Sequence, residues 1–304
     1  MDRRLRSAVN GRTIRFFKEV ILSDILNIEP LLQEGVMDYH MHCDFSIDAV
    51  GTIEQYCEAA LRRNLAEICF TTHYDNNPKS EGGTGFIKVN SKYLDTSIDN
   101  LAPYVDEVRR VAELYYLKGL SVKLGVEFGW YENCEEEVVS LDNRYSFDYI
   151  LCGIHEINNI CFCARSTYEK CFAGLSVEKM AEQYFKQVKQ AAETSLFHTI
   201  AHLNYYYKYA LLYYGDAVKN VHEPFLDEIF QVLKANRVNL EVNTAGVRHG
   251  VDSYYPNITV LNRAKKAGVS VKYLGSDAHR PEDVGFEFEM AAALVPDSVT
   301  GCEE

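Results

Sequence analysis

Seven short apolar stretches, each closing on a loop, set the tightest limit on what this chain can fold into. They are Val36 to His42, Ala66 to His73, Val122 to Gly129, Phe147 to His155, Phe197 to Leu203, Val238 to Gly246 and Val271 to His279. Rich in β-branched and aromatic residues, they read as buried strands. Helical patterns separate most of them: Thr52 to Asn64, Ile98 to Lys118, Val177 to Glu193, Glu223 to Ala235 and Ile258 to Ala267. A last helix is expected from Pro281 to about Ala293, with proline in its first turn. Strand alternating with helix favours parallel pairing, and so an α/β layer or barrel. Three long connections, Tyr74 to Ser97, Glu156 to Ser176 and Asn204 to Val221, all follow strands and would share one face of a barrel. No fixed-period repeat or Pro/Gly/Ser-rich linker divides residues 1–304, so a single domain is expected, with 1–35 as an N-terminal amphipathic helical extension.

The histidines and acids fall where such a fold would gather them. Six of the nine histidines lie at or beside strand ends: His40, His42, His73, His155, His202 and His279. Glu127 closes the third strand and Asp277 shares the seventh with His279. In a parallel barrel these ends converge on the face that holds catalytic residues. His40-x-His42 and Asp277-x-His279 are i, i+2 pairs, which point to one side of a strand. Imidazoles and carboxylates so placed suit a divalent metal with mixed nitrogen and oxygen ligands. Any single histidine here reads more readily as a structural residue; the set does not.

Composition narrows the partners. A net charge of -13 and the lack of a basic tract beyond the first few residues argue against a long nucleic acid, though bound metals can still attract a phosphorylated small molecule. Nine cysteines, an odd number without a repeated framework, read as reduced thiols of a cytoplasmic protein. No apolar run approaches the length of a membrane span.

At this point a resemblance enters. The motifs DYHMHCDFSID, FTTH, GVEFGW, CGIH, AHLNYY, EVNTAGVRHG and GSDAHRPEDVG run from Asp38 to Gly285. In these motifs and their order the chain resembles the polymerase and histidinol phosphatase (PHP) superfamily, and looks like its monofunctional histidinol-phosphatase branch. The resemblance implies a distorted (β/α)7 barrel, which agrees with the seven strands. It also implies two or three divalent ions of zinc, iron or manganese. By resemblance one ion takes His40, His42, Glu127 and Asp277; a second shares Glu127 and adds His155 and His202. A third takes His73, His279 and a position where relatives carry histidine and this chain offers Asp48, with Asp44 as the lesser alternative.

The activity so implied is hydrolysis of a small phosphomonoester, L-histidinol phosphate in histidine biosynthesis, by metal-activated water. Glu127, Asp277 and His202 are the catalytic candidates, with Asp277 or His202 passing a proton to the leaving alkoxide. Arg165, Arg248 and Lys208 are the candidate phosphate-binding cations, since each lies in a loop after a strand. His249 is read as a surface histidine that could touch substrate, and Glu241 and Asn243 as inward residues able to bond the ligands from behind. Gly82 to Gly85 lacks the ending of a phosphate-cradling loop. Cys161-x-Cys163 is read as a pair of loop thiols, Cys43 as pointing away from the metals, and His198 and His222 as structural. The tyrosines after His202 suit a substrate wall or plain packing. Rival readings are a PHP phosphoesterase for another small substrate or nucleotide, a metal-dependent amidohydrolase, and a non-catalytic metal-binding module. The amidohydrolase fits poorly, because that family bridges its metals from a fourth-strand residue and ends on one aspartate, whereas here Glu127 ends the third strand and Asp277 is paired with His279. A relic module would be expected to have lost ligands.

Overall fold

All seven strands form, and all pair in parallel. The computed structural model describes residues 36–81 and 85–295, so the expected N-terminal helix of 1–35 and most of the Gly82 to Gly85 tip lie outside the described residues. We label the barrel strands β1 (Met37–Asp38), β2 (Glu67–Phe70), β3 (Ser121–Gly129), β4 (Tyr149–Gly153), β5 (Thr199–Ile200), β6 (Asn239–Leu240 and Val242–Asn243) and β7 (Leu274–Gly275). Each pairs with the next: Asp38 with Ile68, Phe70 with Leu124, Glu127 with Leu151, Ile200 with Cys152, Ile200 with Leu240 and Val242 with Leu274. The circuit closes where Tyr39 N donates to Leu274 O at 2.9 Å, Asp277 N to His40 O at 2.8 Å and His42 N to Ala278 O at 2.8 Å. The result is a distorted seven-stranded parallel barrel.

Most strands are shorter than the apolar runs that announce them, because the chain leaves the ladder as it reaches the site. β2 breaks after Phe70 and resumes at His73–Tyr74, where His73 pairs with Glu127. His202 and Asp277, two residues past the ends of β5 and β7, take positive φ values of 25° and 52°. Such backbone is uncommon for residues with a side chain and is found where surrounding structure enforces it.

Six helices wrap the strands: α1 (Ile53–Arg62), α2 (Ala102–Tyr116), α3 (Glu135–Tyr145), α4 (Val177–Glu193), α5 (Leu226–Asn236) and α6 (Ile258–Ala267). Local signals start three of them. Thr52 and Gln55 make a reciprocal capping box, Ser176 Oγ accepts from Lys179 N, and Asn257 Oδ1 accepts from Val260 N. The sequence reading missed α3, whose buried face is only Val138, Leu141 and Tyr145 beneath an acidic first turn.

The expected helix from Pro281 to Ala293 is not continuous. A single 3-10 turn at Pro281–Asp283 is followed by irregular backbone, then Phe288–Ala291 and Ala292–Leu294. The break lets Gly285 N reach the buried carboxylate of Asp38 at 2.9 Å, and Asp38 also receives Ser276 N at 3.0 Å. Burial pushes the Asp38 carboxyl up to about 6, while the hydrogen bonds it receives pull the other way.

The three long connections are not structureless. The first carries a hairpin, Phe86–Val89 with Lys92–Asp95; the second a short helix, Tyr168–Phe172; the third a helix, Tyr207–Tyr214. Inside the barrel, Tyr39, Cys69, Tyr149, Leu151, Ala201 and Tyr273 fill the space below the strand ends. Among the described residues no helix is long and apolar enough to cross a membrane.

Candidate metal centre

On that floor the alternation of β3 and β4 decides what points inward. Glu127 projects between Gly125 and Gly129, and the series Tyr149, Leu151, Gly153 continues to His155 just past the end of β4. Glu127 is fully buried, and both its oxygens are ringed by imidazoles. Oε1 lies 2.8 Å from His202 Nε2 and 3.1 Å from His155 Nε2. Oε2 lies 3.0 Å from His73 Nδ1, 3.3 Å from His40 Nε2 and 3.5 Å from His42 Nε2. One carboxylate thus meets side chains from four other strand ends.

A second acid completes the set. Asp277 Oδ1 is 3.3 Å from His42 Nε2, 3.7 Å from His40 Nε2 and 3.5 Å from His279 Nδ1. At the rim Asp48 Oδ2 lies 3.3 Å from His279 Nε2 and 3.7 Å from His73 Nε2. Asp44, the alternative to Asp48, faces a separate pocket with Lys88 and Glu107.

The donor set fits divalent cations. Nε2 of His40 and of His42 stand 3.1 Å apart, a spacing that suits two ligands of one ion as well as a hydrogen bond between the rings. Glu127 Oε2, His73 Nδ1 and His202 Nδ1 are buried without a hydrogen bond, the close approach of the first two being badly angled for one. Such unpaired polar atoms are costly unless a cation or water engages them. Four groups of three donors lie mutually within 4.8 Å: His40–His42–Asp277, His40–Glu127–His202, His42–His73–His279 and His73–Asp75–His155.

Charge in the cluster is tightly coupled. Burial alone would raise the Glu127 carboxyl, but His40, His155 and His73 hold it well below the usual range. Burial disfavours charge on His40 too; Glu241, Glu127 and Asp277 outweigh it and raise the imidazole well above its ordinary value. His155 is raised in the same way by Asp75 and Glu127. His42 goes the other way, to about 3, through burial and the neighbouring His73 and His279. Three carboxylates therefore surround His40 and two bracket His155. Glu241 Oε1 is 2.8 Å from His40 Nδ1, and Asn243 Nδ2 donates to Glu241 Oε2 at 3.2 Å.

Asp75 escaped the sequence reading, although the signal was there. His73-x-Asp75 has the same i, i+2 spacing at a strand end as His40-x-His42 and Asp277-x-His279. Asp75 Oδ1 lies 2.9 Å from His155 Nδ1.

The candidate cations fare unequally. A pocket of about 320 Å³ opens above the centre, and Lys208, Arg248 and His249 line it with Tyr205. Lys208 Nζ bonds Tyr205 Oη at 2.9 Å, and Tyr205 stacks on His202 with ring centres 4.2 Å apart. Arg248 donates to Ser276 O at 2.7 Å and Asp277 O at 2.8 Å, so it also braces the β7 end. Arg165 is exposed and is absent from that lining, where Cys161, Cys163 and Ala164 form the wall instead. Cys43 is buried in the core, while His198 Nδ1 accepts from Ile150 N and His222 pairs with Tyr207, all away from the ligands.

Room for the centre comes from a missing side chain. A Cβ on Gly153 would stand 2.3 Å from His155 Nε2 and 2.7 Å from Glu127 Oε1. Gly153→Ala is expected to lose bound metal and activity together and to cost ~1–3 kcal/mol by overpacking. Metal content and a thermal melt of the variant check this.

Known proteins resemble the chain over most of its length. The PHP domain model matches residues 38–245, about two thirds of the chain. A protein of Deinococcus radiodurans named "Probable histidinol-phosphatase" is 29% identical over 268 residues, covering 86% of this chain and 94% of that one. One of the same name from Clostridium acetobutylicum is 26% identical over 263 residues, covering 85% and 92%. Among solved structures, the histidinol phosphate phosphatase of Lactococcus lactis, crystallised with zinc, L-histidinol and phosphate, superposes with a TM-score of 0.68 at 20% identity. That match covers 88% of this chain and 95% of the other and carries the barrel. With the family model covering about two thirds of the chain, including His40, His42, His73, Glu127, His155 and His202, the chain belongs to the PHP domain family.

Proposed function

We propose that this protein is a metal-dependent phosphomonoesterase that hydrolyses L-histidinol phosphate to L-histidinol and phosphate. The observation that carries the reading is Glu127, buried and touched on both oxygens by five imidazoles. Similarity to the histidinol-phosphatases supports the substrate, as does the Lactococcus lactis structure of the same barrel, which holds zinc, L-histidinol and phosphate.

In this reading His40, His42, Glu127 and Asp277 hold one ion. Glu127, His155 and His202 hold a second, and His73, His279 and Asp48 a third. Divalent ions there supply Lewis acidity toward phosphate oxygens and a nucleophile from water near neutral pH. The chain's own residues do the rest. Lys208 and Arg248 present positive charge to the phosphate from the pocket wall. Proton transfer to the leaving alkoxide falls to Asp277 or His202. The eight described cysteines, all free thiols, suit a cytoplasmic enzyme.

Phosphate release from histidinol phosphate, p-nitrophenyl phosphate and nucleotides tests the substrate. Preference for histidinol phosphate in kcat/KM is expected; equal rates on all of them would sink that assignment. Lys208→Ala is expected to raise KM roughly tenfold, the worth of a charge-assisted hydrogen bond, with metal content unchanged.

A further inference from the structure

We propose that Asp75 is a positioning residue of the centre: its carboxylate holds His155 as the tautomer protonated on Nδ1 and so aims the Nε2 lone pair at the ion shared with Glu127. The inference rests on the metal-binding reading above. Asp75 follows His73 by two residues along the β2 extension, so both side chains project to the same side. Its Oδ1 stands 2.9 Å from His155 Nδ1, while Nε2 on the other side of the same ring stands 3.1 Å from Glu127 Oε1. The imidazole therefore separates Asp75 from Glu127, which makes Asp75 a group behind the ligand rather than a ligand of that ion.

The carboxylate has a place made for it. A Cβ on Gly129 would lie 1.8 Å from Asp75 Oδ1, so only glycine at that inward position of β3 leaves the space. Glu241 stands in the same relation to His40, on a different strand, with 2.8 Å to Nδ1. Two ligand histidines of the centre are thus each backed by a carboxylate. A carboxylate accepting Nδ1–H fixes ring orientation and makes the opposite nitrogen a better donor to metal, and its loss typically costs 10–100-fold in metal affinity. Asp75 Oδ2 lies 3.8 Å from His73 Nδ1, beyond hydrogen-bond reach, so the direct bond of Asp75 within the centre is the one to His155.

Chelator competition on the zinc-loaded full chain measures the effect without substrate. Asp75→Ala is expected to weaken one ion by roughly 10–100-fold, the loss typical of removing such a carboxylate. Asp75→Asn should lose less, because the amide oxygen still accepts the Nδ1 proton. Gly129→Ala should reproduce the loss with Asp75 in place, and combining it with Asp75→Ala should add little. Nitrogen NMR of histidine-labelled, zinc-loaded protein reads the tautomer directly, with the His155 signal assigned by its disappearance in His155→Gln. Protonation on Nδ1 is expected. A His155 protonated on Nε2, or an Asp75→Ala protein with unchanged affinity for every ion, overturns the proposal. Wild-type protein that binds no ion would instead bring down the proposed function first, so the two failures are distinguishable.

Discussion

Glu127→Gln is expected to strip metal from the centre and lower kcat/KM for phosphate release by roughly 10³-fold or more, beyond the loss from a single electrostatic partner. The carboxylate offers two oxygens, one facing His155 and His202, the other facing His73, His40 and His42. An amide keeps the shape but removes the charge and turns one oxygen into a donor. That donor would face imidazole nitrogens needed as ligands. Because the substitution is nearly isosteric, the barrel should persist, and circular dichroism would separate loss of the centre from loss of the fold. Wild-type turnover in Glu127→Gln protein would remove Glu127 from the mechanism.

Removing metal with a chelator should abolish activity and lower the melting temperature. A ligand present at a thousand times its Kd stabilises by about 4 kcal/mol. In a chain of this size that corresponds to on the order of 10 °C for each ion. The loss should also depend on pH. Without cations, His40 and His155 have pKa values raised above the unfolded value, against the pull of burial, by Glu241, Glu127 and Asp277 around His40 and by Asp75 and Glu127 around His155. A raised histidine stabilises fully below its unfolded pKa, and the contribution fades as pH climbs through the folded one. The metal-free protein should therefore weaken as pH rises above about 6.5, the ordinary histidine value. The metal-loaded protein needs no such protonation, so the gap between the two melts should widen with pH. Melts at several pH values, with and without chelator, check it; a gap that narrows instead would mean the imidazoles are not the groups the ions replace.

The strands were legible as apolar runs, six of the seven with a candidate metal ligand at or beside the end. A parallel barrel turns that pattern into one cluster, so His40, His42, His73, Glu127, His155, His202, Asp277 and His279 could be found without coordinates. What stayed hidden depends on approach rather than pattern. Asp75 shares the i, i+2 spacing of the other pairs, but its contact with His155 depends on the space that Gly129 leaves open. Arg165 looked as well placed as Arg248, but nothing in sequence says which way a loop arginine turns, and it faces outward while Arg248 braces Ser276 and Asp277. The final helix failed for a similar reason. Its helical pattern is interrupted at residues 284–287, where Gly285 has a positive φ and gives its N–H to Asp38, about 250 residues earlier in the chain. Tertiary contact outweighed local propensity there.

Elemental analysis of the purified chain, with the metals counted per polypeptide, bears most directly on the idea that one buried carboxylate gathers several cations. Two or more divalent ions per wild-type chain, falling by at least one in Glu127→Gln, is the expected result. A folded wild-type chain that holds fewer than one ion after incubation with zinc, iron or manganese would contradict it.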